Sequence, residues 1–133
     1  MSHRPYVKHV DFTTITIEQL KKVEIYFEHL INQTGILHGY GLYFDAIFRG
    51  SNPENEVILS TAPESPSTHW YQCRLLLREP IGVNKGQRLK GSLKLIANTE
   101  QSFDGTLTVN IPALKISTTN TYDMKDLNYR GTH

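Results

Sequence analysis

The sequence predicts an all-β fold, a single β-barrel or barrel-like sandwich, mainly antiparallel, with at most one short helix near residues 17–22. Two observations carry that expectation. Apolar and polar residues alternate with a period of two through most of the chain, which puts them on opposite faces of strands. Clusters of turn residues separate these stretches at Asn32 to Gly35, Gly50 to Asn55, Ala62 to Thr68 and Pro80 to Gly86. Short strands at such spacing belong to barrels and sandwiches.

Each element follows from its residues. Ile17 to Lys22 is the one stretch with a helical start, because Thr16 and Gln19 are spaced as a capping box. From Val23 to Ile31, Val23, Ile25 and Phe27 oppose Lys22, Glu24 and Glu28, as in a half-buried strand. Ile36 to Phe48 is nearly continuous apolar and aromatic sequence, which predicts a central strand covered on both faces. Gly39 and Gly41 within it predict a bulge or bend. His69 to Leu77 would open a strand directly after the loop, with Tyr71, Cys73, Leu75 and Leu77 inward and Gln72 and Arg74 outward. In Leu89 to Leu95 the leucines at 89, 93 and 95 share a face, opposite Arg88, Lys90, Ser92 and Lys94. Thr106 to Ile111 repeats the pattern through Leu107, Val109 and Ile111.

The bulk properties narrow the function classes. A chain of 133 residues suffices for one domain, residues 1–133, and leaves no room for a second of full size. Fourteen basic and 13 acidic side chains give a formal charge of +1, so no long-range field gathers nucleic acid or anionic lipid. The lone cysteine, Cys73, excludes an internal disulfide, and its place in a strand pattern predicts a buried apolar thiol rather than a nucleophile. Neither a signal-peptide core nor a membrane-length apolar run is present, so a soluble intracellular chain is expected, nuclear or cytoplasmic.

Few residues nominate chemistry by themselves. The six histidines lack the close His pairs and Cys/His spacings of a zinc site. A glycine-rich loop between strand and helix is also missing, so the chain itself offers no cofactor cradle. Asp45 lies in the apolar run Tyr43 to Phe48, where a carboxylate needs a donor to offset lost hydration. A satisfied buried aspartate that holds a loop through backbone amides is the expected reading. The informative cluster is Thr68-His69-Trp70, which sets a titratable imidazole beside the only tryptophan at the rim of a loop with two prolines.

The residues around that triplet extend it to a family. His38-Gly39, Tyr43-Phe44-Asp45, Leu59-Ser60-Thr61-Ala62-Pro63, Thr68-His69-Trp70-Tyr71-Gln72, Leu95-Ile96-Ala97-Asn98 and Gln101-Ser102-Phe103-Asp104 resemble the C-terminal barrel of protein arginine N-methyltransferases. The resemblance is closest to the coactivator-associated (histone) branch and spans nearly the whole chain. It implies the barrel of a type I enzyme, which completes the substrate-arginine pocket and peptide groove. S-adenosylmethionine would bind a Rossmann-type domain absent from these residues, and the dimerisation arm is absent too. The isolated chain is therefore expected to be inactive and to bind no cofactor.

The resemblance also implies roles. Trp70 would wall the arginine pocket, and His69 would hydrogen-bond an aspartate of the missing domain. Tyr71, Lys125, Leu127 and Tyr129 would touch the substrate peptide, although Leu127 replaces the proline of the close branch and Gly131 its tyrosine. The implied partners are the methyltransferase domain of a parent chain and arginine-containing proteins such as histones, with homodimerisation in the parent enzyme only. Two other classes stay open. One is a free-standing interaction module with Trp70 and Tyr71 as aromatic anchors; the other is a barrel holding a small apolar ligand.

Overall fold

In chain order the computed structural model contains helix α1 (Ile17–Lys21) and strands β1 (Lys22–Leu30), β2 (Gly35–Leu42), β3 (Asp45–Phe48), β4 (Val57–Ser60), β5 (Cys73–Val83), β6 (Arg88–Ala97), β7 (Phe103–Ile111) and β8 (Ile116–Asp123), with 3-10 turns at Pro53–Asn55 and Pro112–Leu114. It describes residues 5–125. The all-β, mainly antiparallel class with one short helix matches the sequence expectation. The ladders form three sheets, ordered β1-β6-β7-β8, β2-β5 and β3-β4, rather than one closed ring. Two compact units result: residues up to Leu37 together with those from Arg78 onward, and residues His38–Leu77.

The first unit is built on the four-stranded sheet. Its register pairs Ile25 with Leu93, Phe27 with Gly91 and His29 with Leu89, then Leu93 with Leu107 and Gly91 with Val109. These positions share a face, and Leu89, Leu93, Leu107, Val109 and Ile111 on it are almost fully buried. The opposite face carries Glu24, Glu28, Arg88, Lys90 and Lys94, where Arg88 Nη1 reaches Glu28 Oε1 at 2.7 Å. Alternation thus sorts the sheet into a core face and a solvated one. Helix α1 has the expected capping box: Gln19 N–H donates to Thr16 Oγ1 at 3.2 Å, and Thr16 N–H to Gln19 Oε1 at 2.9 Å.

Three expectations are corrected. Ile36 to Phe48 is not one covered strand: it breaks at Tyr43-Phe44 into β2 and β3, and only Leu37 in it is buried. At Gly39 a Cβ would run into the Leu75 backbone, so the glycine permits close approach of β2 to β5. The strand placed at 69–77 starts only at Cys73 and continues past Pro80 to Val83. Proline is tolerated because β5 pairs with β2 alone within its sheet, leaving an edge where a missing donor costs no ladder bond. Cys73, at the strand's first position, is exposed rather than buried, though partial desolvation still pushes its thiol pKa up. β8 has no counterpart among the expected strands.

Candidate functional site

The second unit places the aromatic triplet. β3 and β4 run antiparallel, with Asp45 opposite Ser60 and Phe48 opposite Val57. Their connection is closed by the Pro53–Asn55 turn, where Asn52 Oδ1 accepts from Glu54 N–H at 3.3 Å. Asp45 has a donor, but a hydroxyl rather than the expected backbone amides: Ser60 Oγ gives it a 2.6 Å hydrogen bond and itself accepts from Ala62 N–H at 3.2 Å. The carboxylate is exposed, however, so its work is to tie β3 to the start of the loop rather than to act from an apolar interior.

The pairing extends one step past the strands, to Phe44 and Thr61. Thr61 N–H donates to Phe44 O at 3.0 Å. The reciprocal bond is made by a side chain, with Phe44 N–H donating to Thr61 Oγ1 at 3.0 Å while that hydroxyl donates to Phe44 O at 2.8 Å. Thr61 C=O is engaged elsewhere, accepting from Gln72 Nε2 at 2.9 Å. Residues 61–72 therefore form a loop pinned at both ends. Within it Ser65 N–H closes a turn onto Ala62 O at 3.0 Å, and Trp70 N–H donates to Thr68 Oγ1 at 3.3 Å.

His69 and Trp70 stand in a turn three residues before β5, not in a strand as the alternation predicts. Trp70 is 60% exposed, as expected for a rim. Its indole meets the Phe44 ring edge-on, with centroids 6.0 Å apart and planes at 75°, a favoured aromatic geometry. Tyr71 is 64% exposed and adopts φ of 41°, left-handed backbone that tyrosine rarely takes. It does not point into a core with Leu75 and Leu77, because the kink at its own Cα breaks the alternation. Thr61, Pro63, Ser67, Tyr71 and Gln72 help to line a hollow of about 130 Å³. Nearby, the Tyr43 hydroxyl is pushed up in pKa by desolvation and then by the charges of Glu64 and Asp45.

The structure thus brings His69, Trp70 and Tyr71 onto one loop. Lys125 lies in the other unit, where its ammonium meets Glu100 Oε2 at 3.3 Å and its N–H donates to Asp123 Oδ1 at 2.9 Å. Leu127 and Tyr129 fall outside the described residues. Among the described residues no three His, Cys, Asp or Glu side chains gather as metal ligands, and no helix is long and apolar enough to cross a membrane. Thr61, Phe44 and Gln72 were not among the expected site residues. Their signal was their place inside three of the family motifs, Tyr43-Phe44-Asp45, Leu59 to Pro63 and Thr68 to Gln72.

Comparison with known proteins gives this loop a context. The family model described as the arginine methyltransferase oligomerization subdomain matches residues 1–111. The chain is 44% identical over 127 residues to the histone-arginine methyltransferase CARMER of Drosophila willistoni, a match covering 95% of this chain and 24% of that protein. The Drosophila virilis CARMER gives the same identity and covers 23% of its length. The chain therefore spans about a quarter of these curated relatives. Among solved structures, a chain of the Trypanosoma brucei PRMT1 enzyme-prozyme heterotetrameric complex with AdoHcy is similar at a TM-score of 0.69 and 28% identity, over 85% of this chain and 36% of that one.

Proposed function

The chain belongs to the arginine methyltransferase oligomerization subdomain family, and from that membership we propose that it serves as the C-terminal barrel of a type I protein arginine N-methyltransferase, completing the substrate-arginine pocket and peptide groove. One observation carries the reading: the 61–72 loop presents an exposed Trp70, braced by Phe44, beside an exposed imidazole at His69.

The chemistry of the substrate explains why such a loop is useful. A guanidinium stays protonated at neutral pH and its lone pairs are delocalised, so a nitrogen becomes a nucleophile only when it is oriented and its charge is balanced locally. A flat, immobile indole can restrict the planar cation to one orientation. His69 would pair with a carboxylate from outside this chain and help to take up the proton released on transfer. Tyr71 would contact the peptide beside the target arginine. Lys125 would contact the substrate peptide too, since its ion pair with Glu100 is exposed and weak.

S-adenosylmethionine would supply the methyl group from the remainder of the parent enzyme. The described residues do not fit it: α1 is five residues long and follows no strand, and the hollow beside Tyr71, about 130 Å³, falls short of a small-molecule site of roughly 300 Å³ or more. In this reading the chain acts together with the methyltransferase domain of the parent enzyme and with arginine-bearing proteins such as histones, and dimers are formed by the whole enzyme.

A chimera tests this. The chain replaces the matching segment of the Drosophila willistoni enzyme, and methyl transfer to histone is measured. The chimera should be active, and H69A and W70A should each lower kcat by about 100-fold. Activity indifferent to both substitutions would overturn the assigned roles. A folded but inactive chimera would return the chain to the class of free-standing interaction modules.

A further inference from the structure

We infer that Thr61, Phe44, Trp70 and Gln72 form a closed ring of contacts that fixes the indole, making Thr61 and Gln72 positioning residues for the pocket wall; the inference rests on the role given to Trp70 above.

The ring follows from one displaced hydrogen bond. Alternate opposed pairs in an antiparallel ladder exchange two backbone bonds, and Phe44 with Thr61 makes only one of its two. The other would need Thr61 C=O, which instead accepts from Gln72 Nε2 at 2.9 Å. Phe44 N–H would then lack a partner, and Thr61 Oγ1 takes the place of the carbonyl at 3.0 Å. By donating to Phe44 O at 2.8 Å the same hydroxyl grips both polar groups of that residue. Only serine or threonine can accept and donate from this one position. Phe44 is held by its backbone, and its ring is left to meet the indole at 6.0 Å. The chain after Trp70 then turns through the positive φ of Tyr71, and Gln72 comes back to Thr61.

Burial shows that the ring is built in. Thr61 is 2% exposed, and loss of its hydroxyl leaves Phe44 N–H without its acceptor, while Phe44 O keeps the bond from Thr61 N–H. A residue serving only to continue the β3-β4 pairing would not require Gln72, whose amide diverts the carbonyl and ties the far end of the loop.

The only tryptophan is its own reporter. T61V keeps the shape and removes the hydroxyl, T61S keeps the hydroxyl, and Q72A frees the Thr61 carbonyl. The measurement is the tryptophan band in near-ultraviolet circular dichroism of the whole chain, at a temperature where the far-ultraviolet spectrum is that of the parent. T61V and Q72A should each lose about half the band or more, as a side chain does when fixed packing is lost, and T61S should keep it. Superimposable spectra for T61V, Q72A and parent would overturn the inference, as would equal losses in T61S and T61V. If T61V does not fold, Q72A against the parent decides, since Gln72 sits half-buried at the loop's end. The readout needs no catalysis: an unchanged band would leave the chimera result standing, and a chimera indifferent to W70A would leave the ring standing.

Discussion

His29 shows how a single position inherits its chemistry from the strand it occupies. It lies on the core face of β1, two residues after Phe27 and opposite Leu89, with its ring 5.4 Å from the Phe27 ring. Desolvation there lowers its pKa below the ordinary 6.5. The unfolded chain therefore takes up a proton at a pH where the folded chain does not. Stability from this site is complete above 6.5 and is lost as pH falls through the lower folded value. The melting midpoint should drop on acidification through that window, and H29Q should flatten the drop; equal pH profiles would refute the assignment. Glu28 acts in a separate range, because the hydrogen bond from Arg88 and then that from Lys90 hold it below 4.5. At this scale the sequence marked His69 and Trp70 by rarity and adjacency. It could not mark Thr61 and Gln72, whose part lies in which carbonyl each engages, a matter decided by the fold around them.

At the scale of elements, legibility followed the purity of the alternation. β6 and β7 could be read because Leu89, Leu93 and Leu95, and then Leu107, Val109 and Ile111, fall on one face of an alternating pattern, and the register bears this out. β8 was hidden because its core-facing positions are Ile116, Thr118, Asn120 and Tyr122, so polar groups interrupt the pattern. Asn120 can be buried there because its Oδ1 accepts from Arg78 N–H at 2.9 Å, a bond invisible in sequence. The 36–48 stretch misled for the opposite reason, since apolar composition was taken as burial, while Ile47, Phe48, Val57 and Ile58 on the β3-β4 pair are all exposed. Gly91 gives the testable case. It faces Phe27 across the β1-β6 ladder, and a Cβ there would run into the Phe27 ring and the Thr108 carbonyl. The ring can tilt; the carbonyl is held in the β6-β7 ladder. G91A should therefore destabilise by about 1–3 kcal/mol despite its better strand propensity, read as a lower urea midpoint at unchanged slope. A midpoint at or above that of the parent would show that the strands have slack there.

For the whole molecule, the question is how far a quarter of a family member stands by itself. The four-stranded sheet has a continuous buried face through Leu89, Leu93, Leu107 and Val109, the kind of core that supports a cooperative transition. The His38–Leu77 unit instead leaves Phe44, Ile47, Phe48, Trp70 and Tyr71 open to water, more exposed apolar surface than an unpartnered unit of this size is expected to carry. Such a chain should fold yet hold no methyl donor. A thermal melt followed by near-ultraviolet circular dichroism, with and without excess S-adenosylmethionine, separates the two properties. A ligand bound only by the folded form raises the midpoint by an amount set by its concentration over its affinity. One cooperative transition with an unmoved midpoint is the expected result, because neither α1 nor the loop hollow can enclose a nucleoside. An upward shift would place a donor site within these residues and overturn the division of labour proposed for the parent enzyme. A broad transition with an unmoved midpoint would mean that the open face of the His38–Leu77 unit depends on a covering partner for its order as well as for its activity.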